Sequence, residues 1–404
     1  MKLGALTMAL KSLRHRPLAN AINMLLLAVG IAIMTFVLSA ARQLEDAALR
    51  DARGIDLVVG APGSPLQLIL SSIYHIDIPT GNIPLAAQAT LEQNRLVRKV
   101  IPLALGDSYE GFRIVGTTHD YAAHYGGQLA EGRQYQTEME AVLGAAVAAR
   151  TRLRPGEEFV GSHGLAPGGE THEEAPYVVT GILQPTGTVL DRLVLTSVES
   201  VWHVHEIEHG ITEDDAEGKA AMEEDRELTA LLVQYASPLA AATLPRLISS
   251  QSGLQAAQPA FESAKLFRML GAGVDVLRAI AAIILLAAAL SMFAALYNAL
   301  EERKTDLAIL RTLGAPPGKL FRLLLAEGLL LAAGGAALGW LTGHLALELV
   351  GRVLADGRSL PISGFAVAPD EIWLAAVALA IGLAAAALPA LRAYRTEIAT
   401  TLSR

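Results

Sequence analysis

Residues 21–41 read AINMLLLAVGIAIMTFVLSAA, an apolar run without a charged side chain. About 20 apolar residues in a helix are enough to cross the hydrocarbon core of a bilayer. The run is too long for the apolar core of a signal peptide, and no convincing small-residue cleavage site follows it. It therefore predicts a retained transmembrane helix, which we assign to residues 20–41.

Three more apolar stretches predict transmembrane helices at residues 274–300, 321–350 and 372–391. The composition agrees, because 52% of the 404 residues are hydrophobic and the mean hydropathy is +0.40. The long segment 42–273 leaves room for a water-soluble domain. The predicted fold class is membrane α-helical, with four transmembrane helices and an α+β periplasmic domain inserted between helices 1 and 2.

The inserted segment mixes β-favouring runs with helical stretches, which is why we predict an α+β domain. The β-favouring runs are 55–59, 100–105, 112–117, 177–183 and 193–196, and Gly and Pro separate them. The predicted helices are 66–73, 139–153 and 238–252. Residues 206–227 are dense in Glu and Asp and predict a solvated excursion.

Basic residues next to the spans predict the orientation. They are Lys2, Lys11, Arg14 and Arg16 at the amino end, Arg303, Lys304, Arg311, Lys319 and Arg322 between helices 2 and 3, and Arg392, Arg395 and Arg404 at the carboxyl end. Residues 1–19, 301–320 and 392–404 are therefore expected in the cytoplasm, with 42–273 and the short loop 351–371 outside. Leucines at helical spacing make 1–19 an amphipathic interfacial helix; the alternative is a polar lead of the first span.

Several classes of function are disfavoured by the residues themselves. The net charge of −8 argues against a nucleic-acid partner, and the lack of cysteine excludes disulfides, thiolate metal sites and thiol nucleophiles. There is no nucleophile elbow, so we predict that the chain is not an enzyme. The stretch GAPPGKL at 314–320 has the wrong spacing for a phosphate-binding loop and lacks the Ser or Thr that holds magnesium.

Glycines mark a packing face in the third span. Gly335, Gly339 and Gly343 are spaced four residues apart, so on a helix they form one smooth stripe that lets a neighbouring helix approach.

Histidines are concentrated in the inserted domain and suggest a zinc site. His203, His205 and His209 alternate with Glu206 and Glu208; His203 and His205 share a face in a strand, whereas His205 and His209 are one turn apart in a helix. His163 and His172 lie in another Gly-rich loop, near Glu170, Glu173 and Glu174. The competing interpretation is a polar surface loop in which histidine is incidental.

The chain contains several separated motifs, which are LKSLRHRP at 10–17, ERKTDLAILRTLGA at 302–315, LPALRAYR at 388–395, and VLGAAVA at 142–148 with GEEF at 156–159 in the inserted domain. Together they resemble the FtsX/MacB/LolC family of ABC permeases. Glu327 also falls where the family commonly has an acidic residue. Two positions depart from the family pattern, since Asp306 replaces a Glu and Glu397 stands where the tail commonly continues Asp-Pro.

The resemblance implies a permease of the bacterial inner membrane that works above a cytoplasmic ABC ATPase dimer, which binds ATP and magnesium. It implies a second permease copy, most simply a homodimer, and mechanotransmission that moves or extracts a lipoprotein, lipid, peptide or hydrophobic small molecule. A periplasmic adaptor or lipoprotein and membrane lipid are further expected partners. The residues expected to dock on the ATPase are Glu302, Arg303, Asp306, Leu307, Ile309, Leu310, Arg311, Leu313 and Gly314. The alternatives are an FtsX-like regulator of a periplasmic enzyme or adaptor, and a zinc-linked permease.

Overall fold

The computed structural model describes residues 5–164, 171–208, 226–250, 253–302, 312, 316–354 and 362–395. The chain divides into two compact units. The helix unit comprises Met1–Gln43, Leu270–Val353 and Ile362–Arg404, and the mixed unit comprises Leu44–Met269 and Leu354–Pro361.

The helices of the described residues are numbered in chain order. They are α1 (Ala5–Arg14), α2 (Pro17–Asp51), α3 (Pro65–Ser72), α4 (Ala86–Glu92), α5 (His119–His124), α6 (Ala145–Thr151), α7 (Val198–Glu208), α8 (Pro238–Ser249), α9 (Pro259–Glu302), α10 (Pro317–Leu354) and α11 (Ile372–Arg395). Short 3-10 turns occupy Val189–Arg192 and Pro369–Glu371.

Four helices in the described part of the chain are long and apolar enough to cross a membrane. They are Pro17–Asp51, Pro259–Glu302, Pro317–Val353 and Pro369–Tyr394. The first two have 35 and 44 residues, more than the roughly 20 that a bilayer needs. The residues at one end of each of these two helices belong to the mixed unit. These four helices, with the mixed unit inserted between the first and the second, confirm the predicted fold class.

The core of the helix unit combines aliphatic and small side chains. Leu27 and Ile31 of α2 pack with Leu285 and Met292 of α9 and with Leu331 of α10. Alanines fill the closest approaches, among them Ala288, Ala332, Ala378 and Ala386, all fully buried. Small residues let helix backbones approach, which is the main source of attraction where the solvent is as apolar as the side chains.

The mixed unit is built on one large sheet. Its strands are β1 (Leu57–Gly60), β2 (Ile83–Pro84), β3 (Val97–Tyr109), β4 (Phe112–Gly116), β5 (Leu129–Gly132), β6 (Glu140–Leu143), β7 (Glu158–Phe159), β8 (Ser162–His163), β9 (Tyr177–Leu183), β10 (Leu193–Thr196), β11 (Glu227–Leu228), β12 (Ala230–Tyr235) and β13 (Gln255–Ala257). The order in the described sheet is β13-β1-β12-β3-β4-β10-β6-β9-β5, with β7 on β9 and β8 on β3, while β2 and β11 form a separate pair.

Both faces of the central strands are buried. In β1, Val58 points into one core cluster while Leu57 and Val59 point into another, as the two-residue period of a strand requires. Strand β12 repeats the pattern, with Leu232 on the first side and Leu231 on the second. Continuous apolar runs are typical of strands covered on both faces. Each of the five predicted β-favouring runs overlaps a strand of the mixed unit.

One sequence-based prediction was wrong. Residues 139–153 were predicted as a single helix, but Glu140–Leu143 forms a strand and the helix begins only at Ala145. Strand β6 pairs with both β9 and β10, and this pairing overrides the helical preference of the alanines. Gly144 separates the two elements, since a Cβ there would lie 2.3 Å from the carbonyl oxygen of Leu190.

Candidate functional site

The three spaced glycines of α10 lie against α2. A Cβ at Gly339 would be 2.5 Å from the carbonyl oxygen of Ala28, and one at Gly343 would be 2.9 Å from that of Ala32. A Cβ at Gly335 would meet the side chain of Leu27 at 2.9 Å. At Gly339 and Gly343 the obstacle is backbone, so glycine is what allows α2 and α10 to approach this closely.

A buried carboxylate ties three segments of the helix unit together. Glu371, only 7% exposed, accepts hydrogen bonds from the Ser39 hydroxyl of α2 at 3.0 Å and from the Trp340 indole N–H of α10 at 2.7 Å. His344 of α10 places Nε2 at 2.9 Å from the same carboxylate and Nδ1 at 2.8 Å from the carbonyl oxygen of Gly364. Glu348, one turn further along α10, contacts Arg352.

A polar cavity of about 360 Å³ lies in the helix unit among α1, α2, α9 and α10. Its lining includes Asn23, Ser291 and Glu327, and Ser291 donates a hydrogen bond to the Asn23 side chain at 2.7 Å. Glu327 is 2% exposed. At one edge of the cavity, Arg16 and Glu302 form an ion pair. Buried polar side chains in a membrane helix unit are costly, so this cavity is a candidate for function.

Of the residues expected to dock on an ATPase, Glu302 lies within the described residues, at the end of α9 and exposed. Arg303, Asp306, Leu307, Ile309, Leu310, Arg311, Leu313 and Gly314 lie outside them. The docking role therefore stays a prediction from sequence.

The predicted zinc residues are only partly within the described part of the chain. His203 and His205 lie on helix α7, which excludes the strand alternative for that pair. His203 Nδ1 is 3.9 Å from a carboxylate oxygen of Glu138. The side chain of His205 and all of His209 lie outside the described residues, so zinc binding by this trio stays untested.

The structure brings together a different set of metal-ligand side chains. Asp107, His163 and His172 each offer a ligand atom, and the three atoms lie within 4.8 Å of one another. Both histidines could be named from the sequence but Asp107 could not, because it ends a mostly apolar run inside β3. The available signal was the interruption itself, a lone carboxylate at the end of the run VIPLALGD.

Comparison with known families covers both units. The family model for the MacB-like periplasmic core domain matches residues 20–249, and the model for the FtsX-like permease C-terminal region matches residues 278–398. The chain belongs to the FtsX/MacB-like ABC permeases. Comparison with curated proteins finds no matching sequence.

Two solved structures are similar to part of this FtsX/MacB-like permease. The periplasmic region of MacB from Actinobacillus actinomycetemcomitans is 13% identical over 54% of this chain and 97% of its own, with a TM-score of 0.35. The extracellular domain of the noncanonic ABC-type transporter YknZ from Gram-positive bacteria is 12% identical over 50% of this chain and 98% of its own, with a TM-score of 0.30.

Membership of this family makes the chain a membrane component of an ABC system, and FtsX/MacB-like permeases work with ABC ATPase partners. The mixed unit is its MacB-like periplasmic domain. The recognition made from the separated sequence motifs is thereby confirmed.

Proposed function

We propose that this permease couples ATP hydrolysis by a separate ATPase to a conformational change in its periplasmic domain. That change moves or extracts a lipoprotein, lipid, peptide or hydrophobic small molecule, and the chain itself catalyses no reaction. The observation that carries the proposal is the continuity of α2 and α9, which each extend from the helix unit into the mixed unit. A helix that belongs to both units can transmit a tilt as a rod, provided that its neighbours hold it firmly.

Two sets of contacts, at different positions along α2, fix this helix within the helix unit. Gly339 and Gly343 bring α10 against its backbone, and Glu371 bonds to Ser39 further along the helix. Buried hydrogen bonds of this kind are few in an apolar environment and set the register between helices. This supports movement of α2 and α10 as one body.

The ATPase would dock on residues 301–320, with the charged side chains orienting the contact and Leu307, Ile309 and Leu310 supplying its apolar centre. Two permease copies, most simply identical, would sit above one ATPase dimer that binds ATP and magnesium. The amino and carboxyl termini then lie in the cytoplasm of a bacterial cell and the mixed unit in the periplasm.

The docking proposal is tested by purifying the tagged chain from membranes of its native host, with Leu310→Glu beside the wild type. Wild-type permease should carry an ABC ATPase with it, and Leu310→Glu should lose that protein while the amount in the membrane stays unchanged. Thr396→Glu is the matched control, because it adds the same charge in the tail 392–404, which is expected on the same side of the membrane but outside residues 301–320. Equal recovery of the ATPase with both variants would reject docking through this segment.

The orientation has its own test. The chain has no cysteine, so a single cysteine at Asp215 can be introduced without background. An impermeant thiol reagent should label it once the outer membrane is opened, while a cysteine at Thr305 should stay unlabelled. Labelling of position 215 only after disruption of the inner membrane would reverse the proposed topology.

A further inference from the structure

We propose that Asp107, His163 and His172 of the mixed unit form a binding site for a divalent first-row transition-metal ion, with Zn²⁺ as the best match. The three residues of this site are different from the histidines at 203, 205 and 209 that the sequence suggested as zinc ligands. It uses one carboxylate oxygen and two imidazole nitrogens, which is a donor set suited to zinc and its neighbours and poorly suited to Mg²⁺ or Ca²⁺.

Strand pairing places the three side chains on one face. Asp107 of β3 lies directly opposite His163 of β8. Thr171 pairs with Ser162, and the His172 N–H donates to the carbonyl oxygen of Gly161 at 3.1 Å, so His172 lies opposite Gly161. Positions 161 and 163 share a face because side chains alternate along a strand. The three ligands are thus fixed by backbone hydrogen bonds.

Gly161 leaves the space that the ligands need. A Cβ at this position would lie 3.7 Å from the Cβ of Asp107 and 3.0 Å from the Ile114 side chain. Position 161 is next to the carboxylate and on the same face as His163, so a larger side chain there would crowd this face of the site.

The distances are those of a metal site. Asp107 Oδ1 lies 3.0 Å from His163 Nδ1 and 3.4 Å from His172 Nε2. Ligands about 2.0–2.1 Å from a tetrahedral zinc ion are about 3.3 Å from one another. The two imidazole rings meet edge to face with centroids 4.8 Å apart, so they lie side by side next to the carboxylate.

Unsatisfied polar atoms point to a missing ligand. Asp107 is 2% exposed, yet its Oδ2 has no hydrogen-bond partner among the described residues, and neither has Nε2 of His172. A buried carboxylate oxygen without a partner is costly, and a bound cation would remove that cost. The hydrogen bond between His163 Nδ1 and Asp107 Oδ1 satisfies neither Asp107 Oδ2 nor His172 Nε2.

Arg113 does not satisfy the carboxylate either. Its Nη2 donates to the carbonyl oxygen of Asp77 at 2.7 Å, while its Nε and Nη1 lack partners in the described part of the chain. Burial lowers the pKa of Arg113 to about 10 and the charge of Asp107 acts in the opposite direction, so Arg113 stays a cation at neutral pH. The positive charge of Arg113 weakens the attraction of the site for a metal ion, so binding would depend on both imidazole ligands beside the carboxylate.

The test uses the full-length permease in nanodiscs, stripped with a chelator and titrated with Zn²⁺ against a chromophoric competitor. His203, His205 and His209 are all changed to Ala in the background, so that binding there does not obscure the result. This background protein should bind a single equivalent of Zn²⁺, and Co²⁺ in its place should give the visible absorption of a tetrahedral site.

His172→Gln in the same background should weaken Zn²⁺ binding by at least about 10–100-fold, since changes to residues that merely support a ligand already cost that much. His119→Gln is the matched control, because His119 bonds only to the Tyr135 carbonyl within the described residues and should leave binding unchanged. If His172→Gln does not give monodisperse protein, Zn²⁺ binding is measured with His163→Gln in its place. The His163 side chain is 38% exposed, so this substitution should disturb the fold less.

Two results would overturn the proposal. One is the absence of saturable Zn²⁺ binding in the background protein, which would leave Asp107 as an acceptor for histidine alone. The other is equal binding by the background protein and the His172→Gln or His163→Gln variant. Binding that is strong in the wild type and disappears in the background would assign zinc to residues 203, 205 and 209 instead.

Discussion

The two units of this permease place large apolar side chains in different surroundings. In the helix unit, large apolar residues such as Leu286 and Leu341 are exposed, at 61% and 49%. In the mixed unit, the comparable residues Leu57 and Leu231 are fully buried between a sheet and its covering helices. The difference shows that two solvents act on one chain, since exposed leucine is favourable against lipid and is buried when the solvent is water.

The units also differ in what holds them together. The sheet of the mixed unit is held by backbone hydrogen bonds and a core of large aliphatic side chains. In the helix unit, burying leucine gains little, so close backbone contact and a few buried hydrogen bonds decide the packing. Substitutions of the same kind should therefore have different effects in the two units.

The largest expected effect follows from filling the helix contact. Gly339→Ile places its side chain against the Ala28 carbonyl oxygen, which cannot move without displacing α2, so we expect a loss of about 3 kcal/mol or more. The measurement is the thermal midpoint and the monodisperse yield in detergent. Gly273→Ala in α9 is the control, because a Cβ there meets nothing within 4 Å. A stable Gly339→Ile protein would show that α2 and α10 are not in tight contact.

A matched pair of leucines tests the assignment of the two solvents. Leu286 of α9 and Leu239 of α8 are exposed to nearly the same degree, 61% and 65%. Leu286→Asp should cost about 2.5–3.5 kcal/mol of insertion free energy, since it puts a carboxylate into lipid. Leu239→Asp should change stability by no more than about 0.5 kcal/mol, because it faces water in the first turn of a helix. Glycosylation-based insertion assays and thermal unfolding measure the two effects; equal costs would contradict the assignment.

How far the sequence predicted these units depends on the length over which a pattern repeats. The four spans are uninterrupted for about 20 residues, and lipid demands that whole length, so little else could form there. In the mixed unit, apart from the run YVVTGIL at 177–183, the short segments have nearly equal preferences for helix and strand. Residues 140–143 look helical beside the alanines of α6, yet they pair with β9 and β10, and only the partner strands settle the choice.

For the candidate sites, too, the sequence predicts what a short local spacing determines and misses what depends on distant segments. The glycine stripe follows from a four-residue spacing that any helix turns into one face, so Gly335, Gly339 and Gly343 could be named from sequence. Asp107 could not, because its nearness to His163 depends on the pairing of β3 with β8 across more than 50 residues. Glu371 likewise meets His344 only when α10 and the start of α11 are folded together.

A buried histidine of the mixed unit should make stability depend on pH. His75 is 7% exposed and bonds to the Tyr121 hydroxyl at 3.0 Å; burial, helped by the charges of Arg113 and Arg192, holds its pKa well below the ordinary value. The unfolded chain then binds a proton that the folded chain rejects, so stability is full above the unfolded pKa of about 6.5 and is lost as the pH falls below it.

Between pH 7 and pH 5 this residue should lower the stability as the pH falls, by at most about 1.36 kcal/mol per pH unit below 6.5. His75→Asn should remove that contribution, and asparagine tolerates the positive φ of 54° at this position. The quantity compared is the slope of unfolding free energy against pH in the full-length protein, so a constant destabilisation does not matter. An unchanged slope would mean that His75 is protonated in the folded state.

The smallest effect is expected from a surface ion pair, which the aqueous solvent of the mixed unit should weaken. Arg133 donates to both carboxylate oxygens of Glu140 at 2.5 and 2.7 Å, and these bonds, with smaller help from two backbone N–H groups, lower the pKa of Glu140 to about 2. A lowered pKa means that the stabilisation is present above about 4.5 and is lost as the pH falls toward 2.

A double-mutant cycle of Arg133→Gln and Glu140→Gln should give a coupling that shifts the thermal midpoint by about 2 °C and that shrinks as salt is added. At pH 3.5 an ordinary glutamate is largely protonated, so a pair without a lowered pKa would have lost its coupling. Here the coupling should persist at pH 3.5 and disappear only near pH 2. Loss of the coupling at pH 4.5 would show that the two bonds do not hold in solution. A coupling that does not respond to salt would show that the pair is shielded from water, which would contradict the assignment of this unit to the aqueous side.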